Sequence, residues 1–88
     1  MLIDPTQDAK AVSVDLVVGS TLQIRGTLGL DVIAIEIPDG AGSWESLIYG
    51  GNVVQLDTDN RQITAYGKTL IRVNKPETTN SVGVAKIG

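Results

Sequence analysis

Two stretches decide the fold, Ala11-Val-Ser-Val-Asp-Leu-Val-Val18 and Asp31-Val-Ile-Ala-Ile-Glu-Ile37. In the first, Val12, Val14, Leu16 and Val18 alternate with Ala11, Ser13, Asp15 and Val17. In the second, Ile33, Ile35 and Ile37 share one face, and Val32, Ala34 and Glu36 share the other. Successive side chains of an extended chain point to opposite faces, so a period of two with one apolar set describes a half-buried strand. Composition reinforces the reading, because Val, Ile and Thr make up 27 of the 88 residues. Branching at Cβ restricts χ1 and suits a pleated surface better than a helix. No segment carries a helical period, and the chain reads as all-β.

Outward from these strands, the punctuation is regular. Gly19-Ser20 marks a turn, after which Thr21-Leu-Gln-Ile-Arg25 places Leu22 and Ile24 on one face, so 11–18 and 21–25 read as a hairpin. Pro38-Asp-Gly-Ala-Gly-Ser43 combines a preset φ, an Asx-capable side chain and two glycines that accept positive φ. Trp44 to Tyr49 returns as a strand, Gly50-Gly51 breaks it, and 52–57 is a short extended piece. Asp57-Thr-Asp-Asn60 is a polar turn, followed by strands over 61–66 and 69–74 with Ile63, Ala65, Ile71 and Val73 on their apolar faces. Pro76 cannot donate to a ladder, so 75–81 is a loop, and Val82 to Ile87 is the last strand. About eight short strands at this spacing describe a small antiparallel β-sandwich or barrel. The organisation is a flexible N-terminal arm, 1–10, and a single β-sandwich domain, 11–88.

A mass of 9.3 kDa is room for one small domain. Scaling rules have such a chain bury about 63% of its unfolded surface, which leaves a thin core. With Cys 0 and His 0, disulfides and the usual zinc sites are excluded, and Phe 0 removes a large apolar side chain. Self-association or docking onto something larger is the remaining common stabilising device. Seven cations are scattered against ten acids for a net charge of −3, and with so few aromatics this argues against a nucleic-acid partner. No apolar run approaches the roughly 20 residues of a membrane-spanning helix. The start, Met1-Leu-Ile-Asp-Pro-Thr-Gln-Asp8, lacks the basic region and apolar core of a signal peptide, so a soluble chain without membrane contact is expected.

Motifs that carry chemistry fail on their spacing. Gly67-Lys68-Thr69 looks like the end of a phosphate loop, but Gln62 stands where the pattern needs Gly and a strand follows where it needs a helix, so a hairpin turn is the plainer reading. Asp57, Asp59 and Asn60 begin like a calcium loop, yet Gln62 replaces its glycine and Lys68 its terminal Glu, which leaves turn capping. Ser43, in Ala41-Gly-Ser-Trp-Glu45, lacks the second glycine of a nucleophile elbow and has no His or Cys to help it. Glu36 and Glu45, on neighbouring strands, are set either as an acid pair or, more simply, with Glu36 pairing a cation across a strand. Trp44 reads as a cap on the end of the core, or as an exposed anchor for a partner. No catalytic, cofactor-binding or metal-binding residue is assigned.

The order of features from residue 31 carries a resemblance. Asp-Val-Ile-Ala-Ile-Glu-Ile, Pro-Asp-Gly-Ala-Gly-Ser-Trp-Glu-Ser-Leu, Gly-Gly-Asn-Val-Val-Gln-Leu-Asp, Arg-Gln-Ile-Thr-Ala-Tyr-Gly, Leu-Ile-Arg-Val-Asn-Lys-Pro and Ser-Val-Gly-Val-Ala-Lys-Ile-Gly follow one another to the C-terminus. Residues 20–88 in this respect resemble small all-β structural proteins of tailed bacteriophages, the capsid decoration or cement type. The resemblance implies a β-sandwich of jelly-roll or β-tulip type, without enzymatic activity or cofactor. It implies a protein made in the host cytoplasm and placed on the capsid surface of the virion. There it bridges major capsid subunits, often as a homotrimer. A tail, neck or head-fibre module is the alternative. Expected partner contacts are Leu2 and Ile3 of the arm, Trp44, and Val82, Val84 and Ile87 of the last strand. The edges at 11–18 and 82–87 are candidate pairing sites between chains.

Overall fold

Where apolar residues alternate, the chain is extended. The computed structural model describes residues 1–6 and 9–88, and no helix occurs among them. Among the described residues ten strands run in the order β1 (Lys10–Leu16), β2 (Thr21–Arg25), β3 (Ile33–Pro38), β4 (Trp44–Ser46), β5 (Ile48–Tyr49), β6 (Asn52–Val53), β7 (Gln55–Leu56), β8 (Gln62–Thr64), β9 (Thr69–Lys75) and β10 (Gly83–Ile87). Every pairing is antiparallel. One sheet has the order β1-β9-β3-β4, with β7 also paired to β3; a second has the order β10-β2-β8; β5 and β6 form a short hairpin. Ile33, Ile35, Ile71 and Val73 of the first sheet join Leu22, Ile24 and Val84 of the second in one buried cluster. The molecule is therefore a small all-β sandwich, and the apolar phases read from the sequence are the inward faces of its strands.

Strand partnership differs from the sequence expectation. β1 and β2 do not form a hairpin, because β1 pairs with β9, and β2 with β10 and β8. Residues 17–20 instead carry the chain from one sheet to the other. The Ser20 N–H donates to the Val17 carbonyl at 3.0 Å, and the buried Ser20 hydroxyl accepts the Val17 N–H at 3.1 Å. Two strands whose apolar faces must meet across the core are served by a crossing between sheets, whereas a hairpin would keep both faces on one side. Val17 and Val18 are left exposed in this turn. Residues 65–68 make a second crossing, from β8 to β9, so Gly67-Lys68 is not a hairpin turn either. The strands expected over 44–49 and 52–57 each break in two, which raises the count from about eight to ten. At those breaks Leu47 N–H donates to Ile35 O at 3.0 Å and Val54 N–H to Leu47 O at 2.8 Å.

The N-terminal segment is also different. Ile3 and Val84 exchange backbone hydrogen bonds, Ile3 N–H to Val84 O at 3.0 Å and Val84 N–H to Ile3 O at 2.9 Å. The Ile3 side chain is fully buried. Residues 1–6 therefore do not project as an arm, and Lys10 already belongs to β1; positions 7 and 8 of the expected arm lie outside the described residues. Thr6 caps the segment by donating its N–H and hydroxyl to the Asp4 carboxylate, which holds that carboxyl below its ordinary pKa. Ile3, Val82 and Val84, expected at a partner, are all in the core of their own chain, where Ile3 bridges to Val84 on the outer side of β10. Lys75, expected to open a surface loop, closes β9 with its side chain buried. It lines a small cavity with Pro5, Thr6 and residues 78–81, which fold over it.

Gly83 is where this closure is most exposed to mutation. A Cβ there would stand 2.6 Å from the Ile3 carbonyl oxygen, 2.8 Å from Pro5 Cδ and 2.9 Å from Met1 Sδ. Gly83→Ala is expected to lower stability by about 1–3 kcal/mol through overpacking, and Ile3→Ala by about 2–5 kcal/mol through the cavity it leaves. Because both act on one contact, the double variant should lose less than the sum in urea unfolding. Additive losses would show that the segment and β10 are energetically independent.

Candidate functional site

Two surfaces combine chemistry with exposure: the outer face of the first sheet around Trp44, and a groove along β8. The turn before Trp44 is built as its sequence suggests. Asp39 Oδ1 accepts the N–H groups of Ala41 at 2.8 Å and Ser43 at 3.1 Å, while Gly40 and Gly42 take φ of 84° and 86°. Pairing of Pro38 with Trp44 puts the indole on the same outer face as Glu36. Arg72, directly opposite Glu36, donates Nε–H to Glu36 Oε1 at 2.8 Å, and its guanidinium carbon lies 5.1 Å from the centroid of the Trp44 ring. Trp44 is therefore half-buried under Arg72 and does not cap the core. The cation expected beside Glu36 is Arg72. Glu45 stands opposite Ile37 and Glu36 opposite Ser46, so the two carboxylates project from opposite faces and form no acid pair.

The Arg72–Glu36 pair is partly solvated, and its contribution is set accordingly. Glu36→Gln is expected to cost less than about 1 kcal/mol in chemical denaturation. Arg72→Ala should in addition uncover the indole and shift the emission of the single tryptophan to the red. An unshifted spectrum would mean that the guanidinium does not shield Trp44.

The groove follows from how β8 pairs. Leu22 is opposite Ile63, Ile24 N–H donates to Arg61 O at 2.9 Å, and Ala65 N–H donates to Ser20 O at 2.8 Å. Those bonds aim the backbone groups of residues 61, 63 and 65 at β2. In an antiparallel ladder the alternate residues, Gln62 and Thr64, must then aim theirs the other way. Among the described residues no strand pairs on that side. Beside this edge the sheets part over a cavity of about 550 Å³. Buried Leu16, Ile35 and Ile71 line it together with half-buried Ile63, Ala65, Leu47 and Val54. Tyr49, 76% exposed, and Tyr66, 86% exposed, stand at its rim with Asn52 and Gln62.

Among the described residues no carboxylate, amine or guanidinium lines this groove. Among the described residues no three His, Cys, Asp or Glu side chains stand together as metal ligands. Asp57, singled out by the sequence, caps its own turn by accepting the N–H groups of Asp59 at 2.9 Å and Asn60 at 2.8 Å. What the groove offers is apolar burial, two amphipathic phenol rings and an unpaired backbone edge. Those are the means of binding another surface by shape and hydrogen bonding. Of the expected contact residues, Leu2 and Trp44 are half-buried and Ile87 is exposed at the end of β10; none lines the groove. Sequence reasoning passed over Tyr49, Val53 and Tyr66. The available signal was phase: Tyr66 falls opposite the Ile63–Ala65 face and beside Gly67, and a large apolar ring on the polar phase of a strand is one that a fold leaves exposed.

Compared with known proteins, the chain matches no family model, no curated protein and no solved structure.

Proposed function

We propose that this chain is a structural protein of a tailed-phage virion, a capsid decoration or cement protein. In this reading it binds the outer surface of the shell, stabilises it by bridging major capsid subunits and has no enzymatic activity. The observation that carries the reading is the groove along β8, an apolar cavity of about 550 Å³ edged by Tyr49, Val53 and Tyr66. Apolar surface rimmed by polar groups on so small a domain marks an interaction site. The uncharged lining suits burial against a protein surface, where charged groups are depleted at the contact centre. The sequence resemblance supplies the kind of assembly and its implied trimer. A capsid supplies many equivalent sites, so modest single contacts add up across the shell.

Capsids assembled from the major capsid protein alone should take up the purified chain and disassemble at a higher temperature. Substituting Tyr66→Lys together with Val53→Lys, both exposed, should weaken uptake at least tenfold, about 1.4 kcal/mol, with urea stability unchanged. Absence of uptake by such capsids would remove the decoration reading. Gold labelling confined to the tail, neck or head fibres of intact particles would replace it with the alternative.

A further inference from the structure

The hairpin of β5 and β6 is attached to the sandwich differently from every other strand. Among the described residues it pairs only with itself, Ile48 opposite Val53 and Tyr49 opposite Asn52. Gly50 and Gly51, with φ of 61° and 83°, make the tight turn that lets two such short strands close on one another. Its paired residues are all exposed. The chain is held on both sides of it, because β4 before it and β7 after it each pair with β3. At its base half-buried Leu47 and Val54 pack on the core, Leu47 N–H donating to Ile35 O at 3.0 Å and Val54 N–H to Leu47 O at 2.8 Å. A unit with exposed backbone bonds, no buried side chain and a single base lies at the low end of local stability.

The hairpin and β8 line one cavity without pairing. Tyr49, Val53 and Tyr66 stand exposed around an apolar interior that includes Ile63 and Ala65, an arrangement that gains free energy when it is covered. We propose that residues 48–53 are a flap hinged at Leu47 and Val54. In the free chain the flap closes over the groove, laying the Tyr49 ring on Ile63 and Ala65 with its hydroxyl still in water. The same swing brings the hairpin beside the outward backbone groups of Gln62 and Thr64. The conformation seen here is the open one, which a partner in the groove must hold. Closure therefore lowers the apparent affinity of anything that docks there by the fraction of chains that are open. That consequence for uptake rests on the docking proposed above, whereas the motion belongs to the free chain.

Relaxation dispersion on the full chain reads the motion directly. Amides of the hairpin and the Ile63 methyl groups are expected to exchange together on the microsecond-to-millisecond scale of hinge motions, while β3 and β9 stay silent. Tyr49→Ser removes the ring that closure buries and should lower the closed population about tenfold, which flattens the dispersion at Ile63. Ile48→Ser changes a residue that is also exposed but does not line the groove, and should leave the dispersion as it was. Hydrogen exchange at Gln62 and Thr64 should be slower in the parent chain than in Tyr49→Ser, with the urea midpoint the same in both. A hairpin without exchange, or one whose exchange both variants change alike, would overturn the flap. Capsid uptake with a static hairpin refutes the flap and leaves the docking reading in place; hairpin exchange as described without uptake does the reverse.

Discussion

The exchange of backbone hydrogen bonds between Ile3 and Val84 is the contact on which the closure of the sandwich depends. It gives the outer side of β10 a partner and drives a fully buried isoleucine into the core beside Val82 and Val84. Gly83 permits it, since Ile3, Pro5 and Met1 come within 3 Å of where a Cβ would stand. In a chain without Phe or Cys, whose buried core cluster holds no aromatic ring, an interior isoleucine contributes about 1.5–3 kcal/mol that no disulfide is present to replace. With the segment in place the accessible surface is 5199 Å², close to the roughly 5,000 Å² that scaling gives for this mass. The core is thin, as composition requires, but the segment closes it along β10. The reason to expect partners therefore lies in what the surface leaves exposed and not in a missing core.

Local periodicity made much of the fold legible. The inward faces Leu22–Ile24, Ile33–Ile35 and Ile71–Val73 are those that alternation marks. The turns at Asp39 and Asp57 are capped by the side chains whose chemistry suggested them. Partner choice was not legible, because a period of two says which face is buried and nothing about which strand lies alongside. β1 and β2 are separated by a short turn, as hairpin strands are, yet β1 finds β9 across most of the chain. Leu2-Ile3 is too short to show a period, so a segment that belongs to the core read as an arm. Lys75 misled for the opposite reason: cations are seldom buried, and one beside a proline reads as loop surface.

The candidate site was legible in one part and hidden in another. Trp44 drew attention by residue type, and the structure gives it a role on the sheet face, stacked beneath an Arg72 that Glu36 holds in place. The groove has no such marker residue. It arises because β8 is short, because β5 and β6 peel away from the first sheet as a separate hairpin, and because the floor between them is ordinary core. Each of these is a consequence of strand pairing, the property that single-sequence reasoning cannot reach.

A sandwich assembled from strands this short has several ends to its sheets, and each unpaired edge invites another chain. Here the edges are treated in three ways. The N-terminal segment covers β10, the groove with its aromatic rim borders β8, and β1 is unpaired on its outer side among the described residues. A concave, uncharged edge such as that of β8 is poorly shaped for its own kind and well shaped for a protruding apolar segment of something else. The two openings are thus physically different, one an extended backbone edge that offers hydrogen bonds and the other a concave apolar groove that offers burial, and what each can bind differs accordingly.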